Sequence, residues 1–189
     1  MTVEDARRRV LESVVSVAGR VGIARLTVDE VAAEAGVSRA SVYRWFPGGR
    51  EQLVDEGVTF EVARFLDRLA AAVAGAEDLR GRLVIGLVFA HRAIEEHEVL
   101  QRLLETEPGG LLPQLQQTAP LVVAILRDAL VPWIEAEPRR RPGVDPVEAA
   151  EWLARMFLSF IADEGRWDLA DEQQVTRLVD DQLLAGIVL

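Results

Sequence analysis

The chain has 189 residues, half of them apolar and 28% charged, which gives enough material for a buried core and excludes a disordered chain. It contains no cysteine, so disulfides, thiolate metal sites and cysteine nucleophiles are excluded together. The net charge is −10, but residues 1–50 carry eight Arg against six acids (+2) and the remainder thirteen Arg against twenty-five acids (−12), so a repulsive body can carry a mildly basic head and the total charge does not exclude DNA as a partner.

Apolar positions recur at helical spacing along almost the whole chain, and no segment alternates with period two between turn residues, so the predicted fold class is all-α. A first helix is expected at about residues 3–20, with Val10, Val14, Val17 and Val21 on one stripe and Gly22 after it. Thr27 and Glu30 have the spacing of a capping box, which opens a second helix that stops at Gly36. Ser38 then caps a third helix carrying RASVYRWF, ended by Pro47, Gly48 and Gly49. Two short helices around a Gly-containing turn are the helix-turn-helix layout.

Longer helices are expected at about 50–74, 78–96, 98–105 and 111–135, with Pro113 and Pro120 starting or kinking the last of these. EAEPRRRPGVDP reads as a loop. Asp145, Pro146 and Glu148 form a helix start for a segment reaching about Glu164, and a final helix is expected from about Asp171 to Ile187. No segment approaches the roughly 18 apolar residues of a membrane span, and the N-terminus lacks the apolar stretch of a secretory signal. The expectation is a cytoplasmic protein without membrane contact.

TVDEVAAEAGVSRASVYRWF, followed by a Gly-rich break and REQL, resembles the DNA-binding domain of the TetR family of transcriptional regulators. The resemblance covers residues 7–57. It implies an N-terminal three-helix DNA-binding domain, here residues 1–49, followed by a larger helical ligand-binding and dimerisation domain, here residues 50–189. It further implies a homodimer on operator DNA, closed by the last two long helices, with no catalytic activity, cofactor or metal.

In the third helix, Val42 and Phe46 stand four apart and are expected to pack on Val31, Ala32 and Ala35. Arg39, Ala40, Ser41, Arg44 and Trp45 are then left for the groove, where Arg suits guanine O6 and N7 and the Ala40 methyl suits a thymine methyl. By the resemblance, Tyr43, Thr27 and Arg50 hold the DNA backbone, with Val28 and Ser38 beside them at the two helix starts. Such contacts fix register without reading sequence.

In the body, Phe89, Val122, Trp133, Trp152, Met156, Phe157 and Phe160, with Leu115, His91 and Thr118, are the residues expected around a small apolar effector; ordinary core packing is the competing explanation for each. ETEPGGLLPQL is expected to form a bend at the pocket entrance. Trp152, Leu153, Met156, Leu158, Leu178, Leu183 and Leu184 are the apolar residues expected at the dimer interface. His91 and Glu95, four apart near His97 and Glu98, have a spacing that chance produces often, so a hydrogen-bonded pair is expected in place of a metal site. The alternative to a ligand-gated repressor is a DNA-bound regulator controlled by a protein partner. An enzyme is disfavoured, because no nucleophile motif or Gly-rich phosphate loop is present.

Overall fold

The computed structural model describes residues 2–189. They form α1 (Val3–Val21), α2 (Val28–Ala35), α3 (Arg39–Trp45), α4 (Gly49–Val73), α5 (Leu79–Glu95), α6 (Glu98–Thr106), α7 (Pro108–Ala136), α8 (Pro146–Ala162) and α9 (Glu172–Leu178). The fold is all-helical; among the described residues the only β pairing is an isolated bridge between Arg140 and Val188.

The predicted caps are present. Thr27 accepts from the Glu30 N–H while the Glu30 carboxylate accepts from the Thr27 N–H, and Asp145 accepts from Val147 and Glu148. Each such cap contributes roughly 1 kcal/mol by satisfying amides that the helix itself leaves free. Gly36 ends α2 at φ 65° and ψ 38°, a left-handed conformation that a residue with a Cβ adopts only at a cost.

Two expectations about helix ends are corrected. α7 starts at Pro108, three residues before the expected 111, and runs on through Pro113 and Pro120; proline suits a first helical position because its missing N–H has no partner there. The final helix does not reach Ile187. After α9 the backbone widens into a π turn over Val179–Leu183, in which the Leu184 N–H reaches back to the Val179 carbonyl. This wider turn leaves Val179, Leu183, Leu184 and Ile187 all buried. The terminus then becomes extended, with Arg141 donating to the Ile187 carbonyl and Leu189 to that of Arg139, so the predicted loop is pinned by the chain end.

Packing groups the chain into two compact units. One comprises the residues up to Leu66 together with His97–Thr118; the other comprises Asp67–Glu96 together with Ala119–Leu189. In the first, the stripe Val10, Val14 and Val17 of α1 meets Val31, Ala32 and Ala35 of α2, Val42 and Phe46 of α3 and Leu53 of α4. Leu103 of α6 and Leu111 of α7 join the same core. Full burial of a side chain such as Phe46 or Leu53 contributes about 1.5–3 kcal/mol, so this core sets the angle between α2 and α3. In the second unit, Leu79, Leu87, Ile134, Leu153 and Leu178 are wholly buried. Outside that core, Arg80 of α5 holds Asp180 through two hydrogen bonds of 2.6 and 2.7 Å.

Candidate nucleic-acid interface

The recognition-helix geometry follows from which side of α3 the core takes. Val42 and Phe46 are both fully buried, and the remaining faces of the helix turn outward: Ser38, Arg39, Ala40, Tyr43 and Arg44 are exposed and Ser41 is half-exposed. Trp45 is half-buried and packs against the head core, so only part of its ring faces solvent. Arg44 lies over that ring at 5.6 Å, and Arg39 lies over Tyr43 at 5.4 Å. Arg39 also donates to Asp29 of α2 at 2.9 Å, which holds the guanidinium beside the helix-turn-helix.

The residues expected to hold the DNA backbone divide. Thr27 is exposed at the start of α2, its hydroxyl donating to Glu30 at 2.7 Å. Val28 is 7% exposed and belongs to the core, so only its backbone faces outward at that helix start. Arg50 turns towards the protein: its Nε donates to the Leu26 carbonyl at 3.0 Å and its Nη2 to the Ile23 carbonyl at 2.5 Å. Two of its donors are therefore engaged in tying the α1–α2 loop to the start of α4.

The same loop is held from a second side. The Glu107 carboxylate, at the end of α6, accepts the Ala24 N–H at 2.9 Å. It lies so close to Gly22 that a Cβ there would overlap it, and Gly22 has φ 88°, a conformation that favours glycine twice over. The run ETEPGGLLPQL thus docks on the DNA-binding head. Nothing in the sequence pointed to Glu107, because its partner lies 83 residues away.

His97 is used locally: its Nδ1 accepts the Leu100 N–H as the cap of α6, and its Nε2 lies 3.4 Å from Glu61 of α4. His91 lies 3.8 Å from Glu164.

The residues expected around an effector do not share one environment. Leu115 packs against the head core, and the Thr118 hydroxyl is spent on the Leu115 carbonyl at 3.0 Å, both within the first unit. The others belong to the second unit. There Phe157 and Val122 are buried, Phe89, His91, Trp133, Met156 and Phe160 are half-buried, and Trp152 is 41% exposed. Phe157 comes within 3.7 Å of where a Cβ would stand on Gly86. The guanidinium carbon of Arg82 of α5 lies over Trp133, 3.8 Å from the ring centre.

An all-helical chain that presents a polar, Arg-bearing helix from an N-terminal helix-turn-helix defines a DNA-binding transcriptional regulator. Residues 10–56 match the family described as bacterial regulatory proteins, tetR family. The N-terminal segment of the chain is thus similar to the DNA-binding part of TetR-family regulators.

A curated relative, an uncharacterized HTH-type transcriptional regulator of Mycobacterium tuberculosis, is 27% identical over 173 residues, covering 90% of this chain and 81% of the relative. Among solved structures, a TetR-family regulator from Mesorhizobium loti has a TM-score of 0.66 at 19% identity, covering 100% of both chains. A regulator from Saccharomonospora viridis in complex with choline has a TM-score of 0.60 at 21% identity, covering 98% of this chain and 99% of the other. At these identities the two structures share the fold with this chain.

Proposed function

We propose that the protein is a dimeric repressor that binds a palindromic operator through α3 and is released by a small, largely apolar effector bound in its helical body. The observation that carries the DNA-binding part is the division of α3, with Val42 and Phe46 locked in the core while Arg39, Ala40, Tyr43 and Arg44 face outward. Two such helices must lie about 34–36 Å apart to enter successive major grooves, which is why a two-fold dimer is required. Residues 1–50 carry +2 of charge by eight Arg and six acids, which favours phosphate contact by this segment over the acidic remainder.

The effector part draws on the solved relative that holds choline and on the half-buried aromatic side chains of the second unit. Moving a dimer from 1:99 to 99:1 in favour of the released form takes about 5.5 kcal/mol of differential ligand affinity. Two sites each burying roughly 100 Å² more apolar surface in one state supply about 2.5 kcal/mol apiece. α4 begins at Gly49 in the DNA-binding head and runs into the second unit past Leu66, which makes it the element to carry the shift.

The test is fluorescence anisotropy with DNA selected by the pure protein from a randomised pool. A palindromic selected sequence, bound with a steep salt dependence, supports the reading. Failure to enrich any sequence overturns it. Enrichment together with indifference to every small molecule would favour control by a protein partner.

A further inference from the structure

We propose that Arg82 and Trp133 form the anion-receiving end of the effector site, so that the effector is an amphipathic organic anion, a carboxylate on an apolar body. The proposal rests on the ligand-gated reading above and names the chemistry of that site.

Three observations carry it. Arg82 is half-buried, and its Nε is shut off from solvent without a hydrogen-bond partner. Its guanidinium lies on the Trp133 face, and among the described residues no carboxylate comes within ion-pair distance of it. Three other arginines of the same unit are held by acids, Arg80 by Asp180, Arg127 by Asp128 and Arg155 by Glu151, while Arg166 lies over Trp167 as Arg82 does over Trp133 but at 4.8 Å. Burial, with no neighbouring acid to offset it, lowers the Arg82 pKa from its ordinary value.

A partly desolvated cation costs stability unless an anion or ring compensates, and the ring supplies only part of that. A carboxylate would supply the rest through the terminal Nη groups, the Nε being enclosed. The side of α5 that carries Arg82 continues into apolar packing: Gly86 and Phe89 follow at intervals of four and three residues, and the buried Phe157, Leu69 and Val73 stand at 3.6–3.7 Å around the missing Gly86 Cβ, so an apolar ligand body would have to part this packing.

The experiment uses the full chain and a matched pair of probes, 1-naphthoate and 1-naphthalenemethanol, followed by tryptophan fluorescence and thermal melting. The wild type is expected to bind the carboxylate at least about ten-fold more tightly than the alcohol. Arg82→Met, which keeps an apolar stem on Trp133, is expected to erase that preference and leave the alcohol's affinity unchanged. Unliganded Arg82→Met is expected to melt at or above the wild-type temperature. Equal binding of the two probes, no binding of naphthoate, a preference that survives in Arg82→Met, or a large fall in its melting temperature would each overturn the proposal. The two readings separate cleanly. Naphthoate held through Arg82 without release of operator removes ligand gating and keeps the anion site, whereas a neutral compound that releases operator equally from wild type and Arg82→Met does the reverse.

Discussion

The Glu107 carboxylate reaches across 83 residues of sequence to the Ala24 N–H, 2.9 Å away, and fills the space that a side chain on Gly22 would need. The junction of α6 and α7 is thereby fastened to the loop that leads into the helix-turn-helix. A charge-assisted bond to a backbone amide is worth about 1.5–3 kcal/mol. Gly22→Ala is expected to destabilise the chain by about 1–3 kcal/mol, since it strains a positive φ and displaces Glu107 together. Glu107→Ala should cost less and should lower operator affinity in proportion to the loosening of the loop. Denaturant melts with parallel anisotropy titrations check both, and an unchanged Gly22→Ala melt would remove the latch.

Arg50 gives a second test of the same loop. Because its guanidinium binds the Ile23 and Leu26 carbonyls, Arg50→Ala is expected to lose roughly 1–3 kcal/mol of stability with no DNA present. Arg50→Lys should fail to restore it, since a single ammonium cannot reproduce the fork. A side chain whose whole role is to hold phosphate would leave the melt of the free protein unchanged, so urea melts without DNA decide the point.

On α3, Arg44→Ala is expected to weaken operator binding by about 1–3 kcal/mol and relax preference at one position per half-site, while Tyr43→Phe weakens binding evenly across sequences. Arg39 is held by Asp29 in the free chain. Asp29→Asn should therefore tighten DNA binding and steepen its salt dependence, by freeing the guanidinium and removing a nearby negative charge. Titrations at several salt concentrations separate these outcomes.

The Arg80 guanidinium holds the Asp180 carboxyl below the usual carboxylate range. A depressed folded-state value means that the pair's contribution is fully present above the ordinary Asp value and is lost as pH falls through the lowered one. The pair is partly exposed, so Asp180→Asn is expected to cost only about 0.2–1 kcal/mol near neutral pH. The difference from wild type should shrink as pH falls below the ordinary Asp range and through the lowered value. Thermal melts of the two proteins across that pH range check the convergence.

For assembly, Leu153, Leu178, Leu183 and Leu184 are buried within the single chain, while Met156 and Leu158 are half-buried. Trp152 and Val147, 41% and 49% exposed, are the exposed large apolar residues of α8. Trp152→Arg is expected to convert a dimer to a monomer in light scattering at micromolar concentration, with the helical content unchanged. A dimer that persists in this variant would place the interface elsewhere.

Much of the local architecture was legible in the residues themselves, because caps, turns and helical stripes are decided within a few positions. Thr27 with Glu30, Gly36, Ser38 and the Val42–Phe46 pair announced the helix-turn-helix and its inward face, since each satisfies a backbone need or a 3.6-residue period at short range. Tertiary structure alone decided what depends on distant groups. The sequence could not show that Glu107 meets Ala24, that Arg50 faces the α1–α2 loop, or that Leu115 serves the head. Nor could periodicity show that α9 would yield to a π turn, because that choice lets four separated apolar side chains share one core. Arg82 is the sharpest case: its composition reads as one more surface cation, and only the placement of Trp133 beneath it, with no acid nearby, sets it apart.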